Sequence, residues 1–167
     1  LEEQADGHLI SGNRVGIDAT NTAVPNLNGI IIRSGSNQVG PGNTLSGNNG
    51  AGLIIGTPRG TGNSVRGNFI GTDPTGETAI RNLQEGIRLM EGANFNTIGG
   101  GGAALRNVIS GNGTHGISIQ GVPYEVAPGV FVSANNNTVA SNYIGVDVDG
   151  DTALPNGETN VGGHGVE

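Results

Sequence analysis

Several residue types are scarce or missing in this chain of 167 residues, and each absence narrows what the chain can be. There is no cysteine, so neither a disulfide framework nor a thiolate metal site is present. Aromatic residues make up only 3% of the sequence, which is low for a globular core but sufficient for a thin core of stacked aliphatic side chains. The length predicts a single domain.

Lysine is also missing, since all seven basic residues are arginine, and the formal net charge is −7. An acidic chain without a basic stripe is a poor partner for nucleic acid and for an anionic membrane surface. No apolar run approaches the roughly 20 residues of a membrane-spanning helix. We therefore expect neither nucleic-acid binding nor membrane insertion.

Glycine, by contrast, is abundant at 33 residues, and it begins the first of three short phrases that recur in a fixed order. In this first phrase glycine is followed by alternating aliphatics, as in GIII, GLII, GIRL and GISI, and GVE starts it once more near the C-terminus. The second and third phrases are both Asn-x-aliphatic, as in NSV and NFI. Each phrase has the two-residue period of a strand and is bounded by turn residues.

Three short strands per repeat, without a helix between them, predict a coil of parallel β-structure whose turns stack about 4.8 Å apart. The inward positions then form unbroken aliphatic columns, a packing that suits β-branched side chains. The expected columns are Ile30, Leu53, Ile87 and Ile117 with Ile32, Ile55, Leu89 and Ile119 on the first face, Ile10, Val39, Val65, Ile98 and Val139 on the second, and Val15, Leu45, Ile70, Ile109 and Ile144 on the third.

Asparagine recurs at two corners of the predicted coil. A side-chain amide donates and accepts at once, so a column of asparagines can hydrogen-bond along the axis and satisfy backbone groups at the corner. We interpret the columns as structural, and sugar or ion binding by the rows is the alternative. The two columns are Asn13, Asn43, Asn68, Asn107 and Asn142, and Asn37, Asn63, Asn96 and Asn137.

The phrases NSVRGNFIGTD, NVISGN, NTIGG and DTALPNGE resemble the right-handed parallel β-helix repeats of the pectate-lyase-like superfamily. They are most similar to the Asn- and Gly-rich repeats of large bacterial secreted and surface proteins. The resemblance covers nearly the whole chain. It implies an all-β, right-handed parallel β-helix of about five coils with three short strands each, and an extracellular or cell-surface location. The architecture hosts many functions, so it specifies the activity poorly.

We expect residues 1–167 to form one β-helix domain. Neither end has an obvious polar cap of the kind that solenoids need, so the chain is interpreted as a segment of a longer array. End-to-end association of copies into a filament is the alternative, because bare strand edges invite pairing.

Coils with a long edge loop alternate with coils that have a short turn, so the true repeat is two coils. Asp18, Asp73 and Asp147 open the long loops and are expected to fix them by accepting backbone N–H bonds. A Ca²⁺ site is the alternative reading, since Asp147, Asp149 and Asp151 stand at alternate positions. The segment departs from the usual Ca²⁺ loop because it lacks the glycine and the distal glutamate at their positions.

The resemblance implies that catalytic groups would lie on outward strand positions and adjacent loops. No carboxylate pair occurs among the outward residues of the first face, which counts against a glycoside hydrolase. A polysaccharide lyase or epimerase would have to use Arg88, His115 or Tyr143. These are weak candidates, so we predict no catalytic site and retain the lyase or epimerase as an alternative.

Candidate ligand-binding residues lie on the outward side of the third face and in one long insertion. Phe69, Tyr143 and Arg14 share the third face, where aromatic rings could stack on sugars or be covered by a loop. The insertion, residues 120–136, carries Tyr124 and Phe131, and long loops on a rigid scaffold often serve recognition. A polysaccharide or a neighbouring protein domain is the expected partner.

The sequence therefore favours a non-catalytic, rigid structural or adhesive module of an extracellular protein. No cofactor is expected apart from the Ca²⁺ alternative. A carbohydrate-active β-helix and a self-assembling filament subunit are the competing functions.

Overall fold

The computed structural model describes residues 6–157 and 164–167, so residues 1–5, at the N-terminal end of the predicted domain, and the segment 158–163 lie outside the described residues. The regular secondary structure of the described part consists almost entirely of short strands, most of which belong to three parallel sheets. Sheet 1 contains β3 (Ile30–Ile32), β6 (Leu53–Ile55), β9 (Ile87–Leu89) and β12 (Ile117–Ile119). Sheet 2 contains β1 (Leu9–Ile10), β4 (Gln38–Val39), β7 (Ser64–Val65), β10 (Thr97–Gly99) and β15 (Thr138–Ala140). Sheet 3 contains β2 (Arg14–Val15), β5 (Thr44–Leu45), β8 (Phe69–Ile70), β11 (Val108–Ile109) and β16 (Tyr143–Ile144).

The chain visits sheets 2, 3 and 1 in turn and pairs each strand with its equivalent one coil away, which makes the protein a parallel β-helix. The predicted fold class is confirmed. We number the coils one to five from β1–β2 to β15–β16. In the described residues the remaining elements are an antiparallel hairpin, β13 (Tyr124–Ala127) with β14 (Val130–Val132), and one 3₁₀ turn, Ala103–Leu105. No helix among these residues is long and apolar enough to cross a membrane.

The register of the sheets places the predicted aliphatic columns in the core. Ile98, for example, pairs with Val65 on one side and with Val139 on the other. Ile55, Ile70 and Ile98 are fully buried. The segment that begins at Gly165 adds to sheet 1 through a parallel bridge between Val166 and Ile117, as the phrase GVE predicted.

Both predicted asparagine columns form hydrogen-bonded ladders. In each, the Nδ2 of one asparagine donates to the Oδ1 of the next, over 2.8–3.1 Å. The backbone N–H groups of Asn37, Asn63, Asn68 and Asn96 donate to the same oxygens of the neighbouring coil. The structural interpretation of these asparagines is confirmed, because their side-chain amides form hydrogen bonds within the fold.

A third ladder lies at the remaining corner, between sheets 3 and 1, and the sequence analysis missed it. Its members also pass hydrogen bonds from Nδ2 to Oδ1, over 2.9–3.1 Å. Every corner of the tube is therefore held along the axis by side-chain amides. The members of this ladder are Asn26, Asn48, Asn82, Asn112 and Asn156.

Long loops and short turns alternate along one edge, as predicted. Each long loop is closed by a small antiparallel bridge, such as the one between Thr72 and Ala79. Each short turn lies tightly against the loop of the preceding coil. A Cβ built on Gly111, which has φ +71°, would lie only 2.6 Å from the Cβ of Ala79. Glycine is required here by both the conformation and the close approach.

Candidate functional site

The candidate ligand-binding residues of sheet 3 all contact the long loops of their own coils. The Arg14 guanidinium donates hydrogen bonds to the Asp18 carbonyl oxygen at 3.2 Å and to Asn21 Oδ1 at 3.0 Å. A Cβ on Gly76 would lie 2.7 Å from the ring of Phe69. Phe69 is therefore partly covered by its loop, whereas Arg14 remains exposed. Ligand binding by either residue stays a prediction.

Tyr143 is half-buried in the same way, beneath Gly150, whose Cβ would lie 2.6 Å from the Cζ of the ring. Its ring also carries the Arg106 guanidinium, with the Cζ of Arg106 3.8 Å from the ring centroid. One face of Tyr143 is therefore occupied by a cation, which the sequence analysis did not anticipate.

The loop aspartates act as acceptors for backbone N–H groups. Asp18 Oδ1 accepts from the Thr20 and Thr22 amides at 2.8 and 2.9 Å. Asp73 Oδ1 accepts from the Glu77 and Thr78 amides at 3.1 and 3.2 Å. The predicted turn-fixing role is what these contacts provide.

These contacts favour the ionised carboxylates. The Thr20 hydroxyl and the Thr22 amide lower the pKa of Asp18. Partial burial raises the pKa of Asp73, but the Thr75 hydroxyl and three backbone N–H groups outweigh it and lower the value overall. Hydrogen bonds from Thr152, and from the Gly150 and Asp151 amides, lower the pKa of Asp147.

The Ca²⁺ alternative concerns Asp147, Asp149 and Asp151. Asp147 Oδ1 is engaged by the Gly150 and Asp151 amides at 2.8 and 3.2 Å. Across residues 6–157 and 164–167, no three His, Asp or Glu side chains are grouped so that they could hold a metal ion. Ca²⁺ binding in this loop stays a prediction.

The three weak catalytic candidates lie on two different sheets. Arg88 is on the outward side of β9, where it forms an ion pair with Glu85 and donates to Gln84 Oε1 at 2.9 Å. His115 precedes β12 in the next coil of sheet 1, whereas Tyr143 is on sheet 3.

His115 is engaged with the C-terminal segment. Its Nδ1 accepts the His164 amide at 3.2 Å, and its Nε2 lies 3.0 Å from a carboxylate oxygen of Glu167. Its ring stacks on that of His164, with centroids 5.3 Å apart. The structure thus gives His115 a set of structural contacts and does not bring it together with Tyr143.

The insertion at residues 120–136 forms the exposed hairpin β13–β14. Tyr124 is opposite Val132, and Glu125 is opposite Phe131. Because neighbouring residues of a strand point to opposite faces, Tyr124 and Phe131 lie on opposite sides of the hairpin. They are 42% and 59% exposed, so each is accessible but the two do not form one binding surface.

A feature that the sequence analysis missed is built around the corner between β10 and β11. This corner contains residues 100–107, whereas the equivalent corner of the preceding coil contains residues 66–68. Four successive glycines, Gly99 to Gly102, all have positive φ, from +82° to +98°, and the 3₁₀ turn follows. We call residues 99–106 the glycine insertion. It projects from the tube and forms a wall shared by two cavities.

The cavity on the sheet 2 side has a volume of about 360 Å³ and polar walls. Gln38, Ser64 and Arg66 contribute side chains from β4 and the β7 corner, and Leu105 closes it from the insertion. Arg66 Nε donates to the Gly99 carbonyl oxygen at 3.1 Å and thereby anchors the insertion. Among the described residues, the side chains of Gln38 and Ser64 have no hydrogen-bond partner, so both are available to a ligand.

The cavity on the sheet 3 side has a volume of about 300 Å³. Its walls are mainly apolar, and Arg106 is the single charged residue that lines it. The run of glycines that widens this corner is visible in the sequence. Its length relative to the other corners was the signal that could have indicated the cavities.

The chain was compared with protein-family models, with curated proteins and with solved structures, and none of the three comparisons gave a significant match.

Proposed function

We propose that the protein is a non-catalytic, rigid structural and adhesive module of an extracellular or cell-surface protein. The observation that carries the proposal is the set of three asparagine ladders, which run along every corner of the tube. Each coil is bonded to the next through backbone and side-chain groups together. Such a tube resists bending and extension, and its first and fifth coils are held about 19 Å apart.

We also propose that the chain belongs to the pectate-lyase-like superfamily, among the Asn- and Gly-rich repeats of bacterial secreted and surface proteins. The support is the combination of parallel coils, asparagine ladders and the quoted phrases. A membership of this kind leaves the activity open.

The adhesive part of the proposal rests on the polar cavity of sheet 2. Sugar hydroxyls need side chains that both donate and accept, and Gln38 and Ser64 offer such groups on a rigid strand face. A polysaccharide is therefore the proposed partner, bound at this cavity.

The test is a binding and turnover assay of the purified chain against a panel of neutral and uronate polysaccharides. We expect retention of at least one polysaccharide in affinity electrophoresis, and loss of that retention in the Gln38→Ala and Ser64→Ala variants. Thr138→Ala is the matched control, because Thr138 is an exposed residue of the same sheet that does not line the cavity. Equal loss in all three variants, or no retention at all, would remove the adhesive role.

The same incubations test the enzymatic alternative. A lyase or epimerase would act through Arg88, His115 or Tyr143, and lyase turnover would produce the absorbance of an unsaturated uronate. We expect no turnover, because Arg88 and His115 are engaged by other side chains. Turnover that disappears in Arg88→Ala or His115→Ala would establish the enzyme instead.

The filament alternative has a structural obstacle. Head-to-tail stacking would place the first coil of one copy against the fifth coil of another, and both carry long loops. Ile17 would then stand where a short turn has its close-packed glycine, as at Gly111. We expect a monomer in sedimentation velocity at high concentration; concentration-dependent polymers would support the filament.

A further inference from the structure

The apolar cavity of sheet 3 is lined by a cation, Arg106, that no carboxylate of the described residues neutralises. Arg106 lines the cavity, and its Nε is buried without a hydrogen-bond partner. Within the part of the chain that the structure describes, its guanidinium forms neither an ion pair nor a hydrogen bond. Its guanidinium lies over the Tyr143 ring.

Other arginines of the same tube are supplied with acceptors. Arg14 donates to carbonyl oxygens of its own loop, Arg66 to the Gly99 carbonyl, and Arg88 to Glu85 and Gln84. The chain has a net charge of −7, yet none of the carboxylates in residues 6–157 and 164–167 forms an ion pair with Arg106. The Nε atoms of Arg88 and Arg106 are both buried without a hydrogen-bond partner, but Arg88 has acceptors at another nitrogen, whereas Arg106 has none among the described residues. A desolvated polar group without a partner is costly, so the Arg106 guanidinium is open to an acceptor from outside the chain.

The position of the guanidinium is well defined. Tyr143 lies on β16 beneath Gly150, and the Cζ of Arg106 lies over this ring, 3.8 Å from its centroid. Stacking on an aromatic ring leaves the edge of a guanidinium, with its N–H groups, free to bind a carboxylate. The chemistry that matches this edge is a planar anion that accepts two hydrogen bonds.

The other residues that line the cavity indicate the chemical character of the rest of the ligand. Val108, Val148 and Phe69 form one side of the cavity, and Ala103 and Ala104 of the glycine insertion form the other. Apart from Arg106, these side chains offer no hydrogen-bonding group, so they favour hydrocarbon over a hydroxylated ring. A volume of about 300 Å³ accommodates a body of about one ring.

We propose that this cavity binds a small carboxylate with a compact apolar body, the carboxylate on Arg106 and the hydrocarbon between the two valines and the insertion. The site is separate from the polysaccharide cavity of the proposed function, because the two lie on opposite sides of the glycine insertion.

The experiment is a titration of the full chain followed by methyl NMR, with benzoate as the probe. We expect saturable shifts at the methyl groups of Val108 and Val148, with a dissociation constant in the range of about 1 mM or below. Benzyl alcohol, which lacks the charge, and acetate, which lacks the ring, should each bind at least about tenfold more weakly.

Arg106→Gln should weaken benzoate binding by at least about tenfold, since it removes a charged hydrogen-bond donor. Arg14→Gln is the matched control, because Arg14 is an outward arginine of the same sheet that does not line the cavity, and binding should be unchanged. Ala104→Phe should block the cavity. If Arg106→Gln does not fold, the comparison of benzoate with benzyl alcohol on the unmodified chain still tests whether the carboxylate is required for binding.

Each contrary outcome overturns a named part of the proposal. Equal binding of benzoate and benzyl alcohol would remove the role of Arg106. Tighter binding of glucuronate than of benzoate at the same methyl groups would assign the site to an acidic saccharide. Equal weakening by Arg14→Gln would indicate non-specific charge attraction, and the absence of methyl shifts would eliminate the site.

Discussion

Replacement of Asn68 by alanine removes one link from the middle of an asparagine ladder. Asn68 is 1% exposed. Its Nδ2 donates to Asn107 Oδ1 at 2.9 Å, to the Val39 carbonyl at 2.9 Å and to the Arg66 carbonyl at 3.1 Å. Its Oδ1 accepts from Asn43 Nδ2 at 2.9 Å. The substitution deletes all four contacts but leaves the strand positions unchanged.

The groups left behind determine the cost. One N–H of Asn43 becomes a buried donor without an acceptor, at about 1–3 kcal/mol, and the other lost bonds add about 0.5–1.5 kcal/mol each at most. The Val39 carbonyl and Asn107 Oδ1 each retain another donor, which limits these further losses. We expect a loss of about 2–5 kcal/mol in the free energy of unfolding, a large share of the stability of a domain of this size.

Urea denaturation followed by circular dichroism measures the effect, with Asn13→Ala as the matched control. Asn13 is an exposed end member of the same ladder. Deletion of its side-chain amide leaves Asn43 Oδ1 bonded to the backbone N–H at position 13. We expect it to cost about 1 kcal/mol or less. If Asn68→Ala and Asn13→Ala destabilise equally, the ladders do not stabilise the tube and the reasoning is refuted.

Three further predictions concern the turns, the loops and the hairpin. Gly111→Ala should destabilise by about 1–3 kcal/mol more than Gly62→Ala, because both glycines have positive φ but only a Cβ at Gly111 meets Ala79; equal midpoints in urea would contradict this. The lowered pKa values of the loop aspartates mean that their stabilisation is complete above the unfolded pKa of about 3.9 and is lost as pH falls through the folded values. Stability measured from pH 6 to pH 2 should therefore decrease once the pH is below about 4, and the decrease should be less steep in Asp73→Asn. An unchanged slope in this variant would show that Asp73 does not contribute to the loss of stability in acid. Replacement of residues 122–131 by a short Gly-Ser linker should leave the thermal midpoint nearly unchanged, because all of these residues are exposed. A large drop in the midpoint would show that this part of the hairpin packs on the tube.

The aliphatic columns could be predicted because strand positions keep a strict two-residue period within each phrase. Ile70 and Ile109, for example, follow an asparagine by the same two residues, and this spacing survives whatever the length of the loops between them. The same regularity revealed the first two asparagine ladders.

The third ladder was not predicted because the number of residues between each of its asparagines and the next sheet 1 strand varies. Asn48, Asn82 and Asn112 each stand four residues before the glycine of the next sheet 1 strand, but the equivalent distance is three for Asn26 and nine for Asn156. Because long and short loops alternate before these asparagines, they have no constant spacing in the sequence, although they form a continuous column in the structure.

The two cavities were not predictable for a different reason. Periodicity indicates which side of a strand faces outward, but it does not indicate what a neighbouring loop covers. Phe69 was identified as outward, yet only the fold places Gly76 on its ring and the glycine insertion beside it. The stacking of Arg106 on Tyr143 joins residues 37 positions apart and follows from the coil register together with the length of the insertion.

The measurement that tests the central claim most directly is a set of nuclear Overhauser contacts between neighbouring strands of sheet 3. A parallel β-helix predicts contacts between the backbone protons of Phe69 and Val108, and again between those of Val108 and Tyr143, in a register that keeps Ile70, Ile109 and Ile144 side by side. Close Hα–Hα contacts typical of antiparallel pairs, or the short sequential amide contacts of a helix, would contradict the fold and every placement that depends on it.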